Sequence, residues 1–154
     1  ARVAGYGTSA DAYHPTAPHP DGIGLRRAID VALKEAGALP SEIAFINAHG
    51  TSTPENDKVE GRVITDLFPA TVPIVSTKAY TGHTLGAAGG IEAVLTVKGL
   101  MDKKVPATAG YAEYDEGCGI VPTRENTRVT GKFAASNSLA FGGNNSVLVF
   151  RRDG

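Results

Sequence analysis

From Ile43 to Lys103 the sequence passes twice through one order of events: an apolar run, a polar loop, then a stretch with helical spacing. Ile43-Ala44-Phe45-Ile46 is short and uninterrupted in its apolarity, as in a strand buried on both faces. A helix is predicted next. Thr53 is placed to cap it, Pro54 suits its first turn, and Val59, Val63, Leu67 and Phe68 form one apolar stripe. The second pass predicts a strand over Val72 to Thr77, a loop over Lys78 to Leu85 and a helix from Gly86 to about Lys103. Such alternation builds a layered α/β domain, because each helix must cover a sheet face to bury its stripe. Upstream, Leu25, Ile29, Ala32, Leu33 and Ala36 predict an amphipathic helix over residues 21–37, stopped by Gly37. Strand-like residues also occupy the first positions. Downstream, two strand-like runs, Lys132 to Ser138 and Ser146 to Arg152, flank Gly142-Gly143-Asn144 and predict a terminal hairpin. The expected fold class is α/β: a mixed sheet with helices on both faces.

Such a fold needs a core, and 154 residues, 42% hydrophobic and 20% charged, suffice for one domain. No segment has linker composition. A formal net charge of −1 leaves no global field to attract nucleic acid or an anionic membrane, so neither is expected as a partner. The longest apolar stretch, Leu85 to Met101, is broken by glycines, Glu92 and Lys98; it reads as a buried helix rather than a membrane span. The single Cys118 excludes an intrachain disulfide, and no charged start precedes an apolar run, so the expected setting is cytoplasmic. The chain opens at Ala1 without an initiator Met and with strand-like residues, as a piece of a larger folded unit would.

Ligands of open α/β sheets gather beyond the carboxyl ends of strands, and two polar loops are expected there. They are Asn47-Ala48-His49-Gly50-Thr51-Ser52-Thr53 and Lys78-Ala79-Tyr80-Thr81-Gly82-His83. Each sets an imidazole between a strand and a helix start, near glycines that permit close backbone approach. One such histidine is usually a structural, hydrogen-bonded residue; two in matching loops beside a lysine point to a site. Glu92 is a carboxylate inside an apolar helical run, costly to bury without a cation, and Lys78 is its natural partner.

These residues carry a family resemblance. His49-Gly-Thr-Ser-Thr-Pro followed by Asn56-Asp57 and Glu60, Ser76-Thr-Lys78 with Thr81-Gly-His83-Thr-Leu-Gly-Ala-Ala-Gly, and Asn137-Ser with Phe141-Gly-Gly resemble the β-ketoacyl-acyl carrier protein synthases in order and spacing. The resemblance implies a thiolase-like fold of two α/β halves. This chain would be the C-terminal half over residues 1–154, and the N-terminal half with the nucleophilic cysteine would be absent. It implies a condensation of acyl groups with malonyl-carrier protein, in fatty acid or polyketide synthesis. His49 and His83 would be the paired histidines of the decarboxylation, with Lys78 supporting them and Glu60 and Glu92 holding the lysine. Thr51, Thr53 and Thr16 would hydrogen-bond the phosphopantetheine arm, although Thr53 suits a helix cap equally well. Phe141 would complete an oxyanion hole with its N–H and gate the acyl pocket with its ring. Ala140 departs from the family's usual glycine. No cofactor is implied beyond the phosphopantetheine of acyl carrier protein. The implied partners are that carrier, the N-terminal half and, in the intact enzyme, a second copy.

Cys118 does not fit the missing nucleophile, since Asp115 and Glu116 disfavour the thiolate. The segment after it, Gly119-Ile120-Val121-Pro122, looks shorter than the family's usual connection. The loop Thr81 to Gly89 also suggests a nucleotide binder, but no acidic residue follows Val105-Pro106-Ala107-Thr108 to hold a ribose, and no Gly-Lys-Ser/Thr is present. His14 and His19 lie in a Pro-broken loop without a cysteine pair, which argues against a metal. A non-catalytic partner subunit, like the chain-length factors that pair with ketosynthases, is a further alternative. The retained His49, Lys78 and His83 weigh against it.

Overall fold

The computed structural model describes residues 1–153. Strand β1 (Arg2–Ala10) is followed by helix α1 (Ile23–Ala36), a 3-10 turn at Pro40–Glu42, strand β2 (Ile43–Asn47) and helix α2 (Pro54–Leu67). Then come β3 (Ile74–Val75), the short α3 (Lys78–Thr81), a 3-10 turn at Leu85–Ala87 and α4 (Ala88–Asp102). Strands β4 (Lys104–Val105), β5 (Thr127–Arg128), β6 (Phe133–Ala140) and β7 (Asn144–Arg151) complete the chain. The main sheet runs β1-β7-β6-β2-β3; β4 and β5 form a separate antiparallel ribbon. Strands β6, β2 and β3 are parallel, whereas β7 runs antiparallel to both β6 and β1. The mixed sheet is as expected.

The two faces of the sheet divide the core. Ile43 and Ile46 of β2, Phe133 and Ala135 of β6, and Val147 and Val149 of β7 pack with Leu25, Ile29 and Leu33 of α1 and Val63 of α2. Ala44 and Phe45, Ala134 and Phe150 pack on the other side with Leu100 of α4. Every residue of β2 is buried, which explains its unbroken apolar run. Helix α1 lies close on β1 because Gly7 bears no side chain: a Cβ there would collide with the Ala28 carbonyl.

Several boundaries differ from the sequence expectation. The strand expected over Val72 to Thr77 is reduced to Ile74–Val75. The loop expected after it contains α3, whose closing N–H, on Gly82, bonds the Lys78 carbonyl. Helix α4 starts at Ala88, since Leu85–Ala87 coils as 3-10. Both hairpin strands run further toward the turn than expected and leave only residues 141–143 between them. Thr53 does stand at the N-cap of α2, but its side chain makes no capping bond. Its hydroxyl lies 3.0 Å from that of Thr51 instead.

Because β2, β3 and β6 are parallel, their carboxyl ends share one edge of the sheet. The chain leaves that edge at His49, at Ser76 and at Phe141. No helix among the described residues is long and apolar enough to cross a membrane.

Candidate functional site

Asn47 ends β2 at 1% exposure, and a buried amide needs partners. Its Nδ2 donates to Thr77 Oγ1 at 3.0 Å and to Thr96 Oγ1 at 3.1 Å, while Thr77 N–H donates to its Oδ1 at 3.2 Å. One side chain thereby ties together the end of β2, the segment after β3 and α4. Beyond it the chain turns at Gly50, where φ is 44°. A Cβ at Gly50 would press on Ser76, whose hydroxyl donates to the Gly50 carbonyl at 2.9 Å.

Glu60 of α2 is buried directly behind this turn. Its carboxylate accepts from His49 N–H and Gly50 N–H, both at 2.9 Å, and from Asn137 Nδ2 of β6 at 3.0 Å. Burial pushes its pKa above the usual carboxylate range, against the pull of those donors. Glu60 was expected beside Lys78 and forms no ion pair with it; its position one helix away gives it the histidine backbone to hold instead.

Lys78 opens α3 and turns inward. Its ammonium pairs with Glu92 of α4 and lies 3.2 Å from His49 Nδ1. Burial raises Glu92, and Lys78 opposes that rise. His49 is itself buried, and desolvation, then Lys78, then His83 lower its pKa to about 3. The ring is therefore neutral at neutral pH. An ammonium has no lone pair, so His49 Nδ1 is the acceptor and the ring proton sits on Nε2. His83 reaches the same arrangement by another route, since its Nδ1 accepts from Leu85 N–H at 3.2 Å. Leu85 adopts φ 54° to make that bond, a conformation costly for a residue with a Cβ. The two imidazoles stand edge to face with centroids 5.6 Å apart, each keeping an Nε2–H donor.

A cleft of about 650 Å³ adjoins the pair, lined by Gly50, Thr51, Lys78, His83, Tyr111 and Cys118; His49 is not on its lining and stands behind it, edge to face with His83. Thr53 is not on the lining, although Ser52 and Pro54 on either side of it are, and its hydroxyl meets that of Thr51. Phe141 and Thr16 lie outside the cleft: Phe141 is 77% exposed on the β6–β7 turn, and Gly142 N–H donates to Pro15 beside Thr16 at 2.7 Å. The Cys118 thiol is pushed up to about 11 by burial and then by Asp115, whose carboxylate accepts from it at 3.4 Å. It stays protonated at neutral pH. Asn47, Ser76, Thr77 and Asn137 stand in the motifs of the sequence without a legible task there. The available signal was an amide at or beside the end of an apolar strand.

The class follows from comparison of this geometry with solved structures. A β-ketoacyl synthase from Burkholderia phymatum superposes with a TM-score of 0.91 at 36% identity, covering 99% of this chain and 37% of that one. A chain of a type II PKS acyl-carrier protein complex with its ketosynthase bound to the hexaketide gives 0.92 at 35% identity, over 99% and 38%. The fold is that of the thiolase-like ketosynthases. By sequence, residues 1–112 match the family described as Beta-ketoacyl synthase, C-terminal domain, and the chain belongs to that family. It is 44% identical to the 3-oxoacyl-[acyl-carrier-protein] synthase 2 of Staphylococcus aureus, over 99% of this chain and 38% of the relative. The chain thus spans well under half the length of the relatives it matches.

Proposed function

We propose that the chain is the C-terminal part of a 3-oxoacyl-[acyl-carrier-protein] synthase that performs decarboxylative condensation. The observation that carries this reading is the pair of imidazoles, His49 and His83, edge to face and each with Nδ1 occupied, which leaves Nε2–H as the donor. When a malonyl thioester loses carbon dioxide, the electron pair of the broken C–C bond moves into an enolate, and charge gathers on the thioester oxygen. Two preset N–H donors stabilise that oxygen without reorientation, and one such donor is typically worth about 10² to 10³ in rate. Lys78, held by Glu92, keeps His49 in the donating tautomer; Glu60 keeps its backbone in place. The carbanion then attacks an acyl group carried on a cysteine thiol supplied by the N-terminal part of the synthase, since Cys118 remains a thiol.

In this reading Thr51 and Thr53 hydrogen-bond a phosphopantetheine arm entering the cleft, Thr16 joins them from beside the β6–β7 turn, and Phe141 on that turn gates the acyl pocket from outside the cleft. The partners in this reading are acyl carrier protein, the N-terminal part and a second synthase copy, in the cytoplasm, with no cofactor of the synthase's own. Exposed Leu85, Val94 and Phe141 supply apolar surface for the N-terminal part to cover. In the full-length protein, His49→Ala and His83→Ala should each slow carbon dioxide release far more than acyl loading. Equal loss of both steps counts against the assignment.

A further inference from the structure

Helix α3 has only four residues, too few to hold itself together, so the place of Lys78 depends on what grips the start of that helix. The residue there is Thr77, and its hydroxyl makes no capping bond to α3. It turns to Asn47 instead: Thr77 N–H donates to Asn47 Oδ1 at 3.2 Å, and the Thr77 hydroxyl lies 3.0 Å from Nδ2 and 3.2 Å from Oδ1. A backbone N–H can only donate, so the amide oxygen faces it and the amide nitrogen is left to reach α4. There Nδ2 donates to Thr96 Oγ1 at 3.1 Å and approaches the Glu92 carbonyl at 3.4 Å, while the Thr96 hydroxyl donates to that carbonyl at 2.7 Å. Asn47 is itself held in the sheet, paired with Val75 of β3 and Ser136 of β6. One buried amide thus grips the residue before Lys78 and the turn of α4 that bears Glu92, and it stands two residues ahead of His49.

We propose that Asn47 is a positioning residue that sets Lys78 against His49 Nδ1 and so keeps the ring proton of His49 on Nε2, where it donates to the enolate oxygen. This deepens the synthase reading above and rests on it. The step served is malonyl decarboxylation: the C–C bond to the carboxylate breaks, carbon dioxide leaves, and the electron pair moves into the enolate. The Lys78 ammonium, 3.2 Å from Nδ1, can only donate, and it therefore excludes a proton from that nitrogen. Once the ammonium is displaced, a neutral imidazole can carry its proton on either nitrogen, and the Nδ1–H tautomer turns a lone pair toward the enolate in place of a donor. Asn47 touches neither substrate nor His49; it acts through Thr77 and α4.

In the full-length protein, Asn47→Ala should slow malonyl decarboxylation by about tenfold through kcat with KM little changed, and acyl loading should keep its rate. Thr77→Val, which has the same shape and retains the N–H bond to Oδ1, should move decarboxylation in the same direction if Asn47→Ala does not fold; Thr77→Ser, which restores the hydroxyl, should restore the rate. Nitrogen NMR of histidine-labelled protein reads the cause directly. His49 should carry its proton on Nε2 alone in wild type and on both nitrogens in exchange in the slowed variants. A folded Asn47→Ala or Thr77→Val with wild-type kcat, or a slowed variant whose His49 proton stays on Nε2, overturns the proposal and leaves the synthase reading standing. A full-length wild type that releases no carbon dioxide, with the tautomer still changing in the variants, overturns the synthase reading and leaves the positioning of Lys78 by Asn47 in place.

Discussion

Lys78 of α3 and Glu92 of α4 form an ion pair withdrawn from solvent, with side chains only 5% and 2% exposed. Removing one partner of such a pair strands the other charge, at a typical cost of about 3–5 kcal/mol. Glu92→Gln should therefore lower the melting temperature and the condensation rate of the full-length protein together. A variant as stable and as active as wild type would take the pairing out of the mechanism.

The neutrality of His49 predicts a pH dependence. Its pKa is about 3 in the folded chain against the usual 6.5, so between those values only the unfolded chain takes up the proton. The stability it contributes is complete above about pH 6.5 and is lost as pH falls toward 3, at on the order of 1.4 kcal/mol per pH unit. Glu60 and Glu92, raised above 4.5, act in the opposite sense: their contribution is present below that value and is lost as pH rises. The readout is accordingly a difference. Urea midpoints taken from about pH 7 to about pH 4.5 should fall more steeply for wild type than for His49→Asn.

Cys118 should be slow toward alkylating agents at neutral pH and should quicken as the solution approaches its pKa of about 11. Peptide mapping after iodoacetamide treatment over a range of pH checks this. Cys118→Ser should retain condensation activity, and acylation found at Cys118 itself would contradict its description as a bystander.

Gly7→Ala should destabilise the protein by about 1–3 kcal/mol, because its methyl group meets the Ala28 backbone carbonyl and not a movable side chain. A chemical denaturation midpoint unchanged from wild type would mean that α1 can draw back from β1 at no cost.

The sequence disclosed most of what packs and less of what holds the site in place. The apolar run of β2, the stripes of α1 and α2 and the hairpin were legible because burial writes itself as periodicity. The pairing of Lys78 with Glu92 was legible from cost alone, as a carboxylate in an apolar helix needs a cation. Glu60 was misread, since its partners are backbone N–H groups, which every residue carries and no spacing betrays. Strand β3 was overdrawn for a similar reason: Ser76 and Thr77 look strand-like, yet their hydrogen bonds go to Gly50 and Asn47 across the site rather than along a ladder.

The pairing of β1 with β7 joins two strands that lie far apart along the chain. Among the described residues the sheet neighbour of β1 is β7, which lies between β1 and β6. Until β7 docks, β1 can rest on α1 while the N–H and carbonyl groups it will give to β7 stay unpaired. Such an open edge is a template for association with other strands. The vulnerable interval in folding is thus the one before β7 inserts, and it closes when Arg151 comes into register with Arg2.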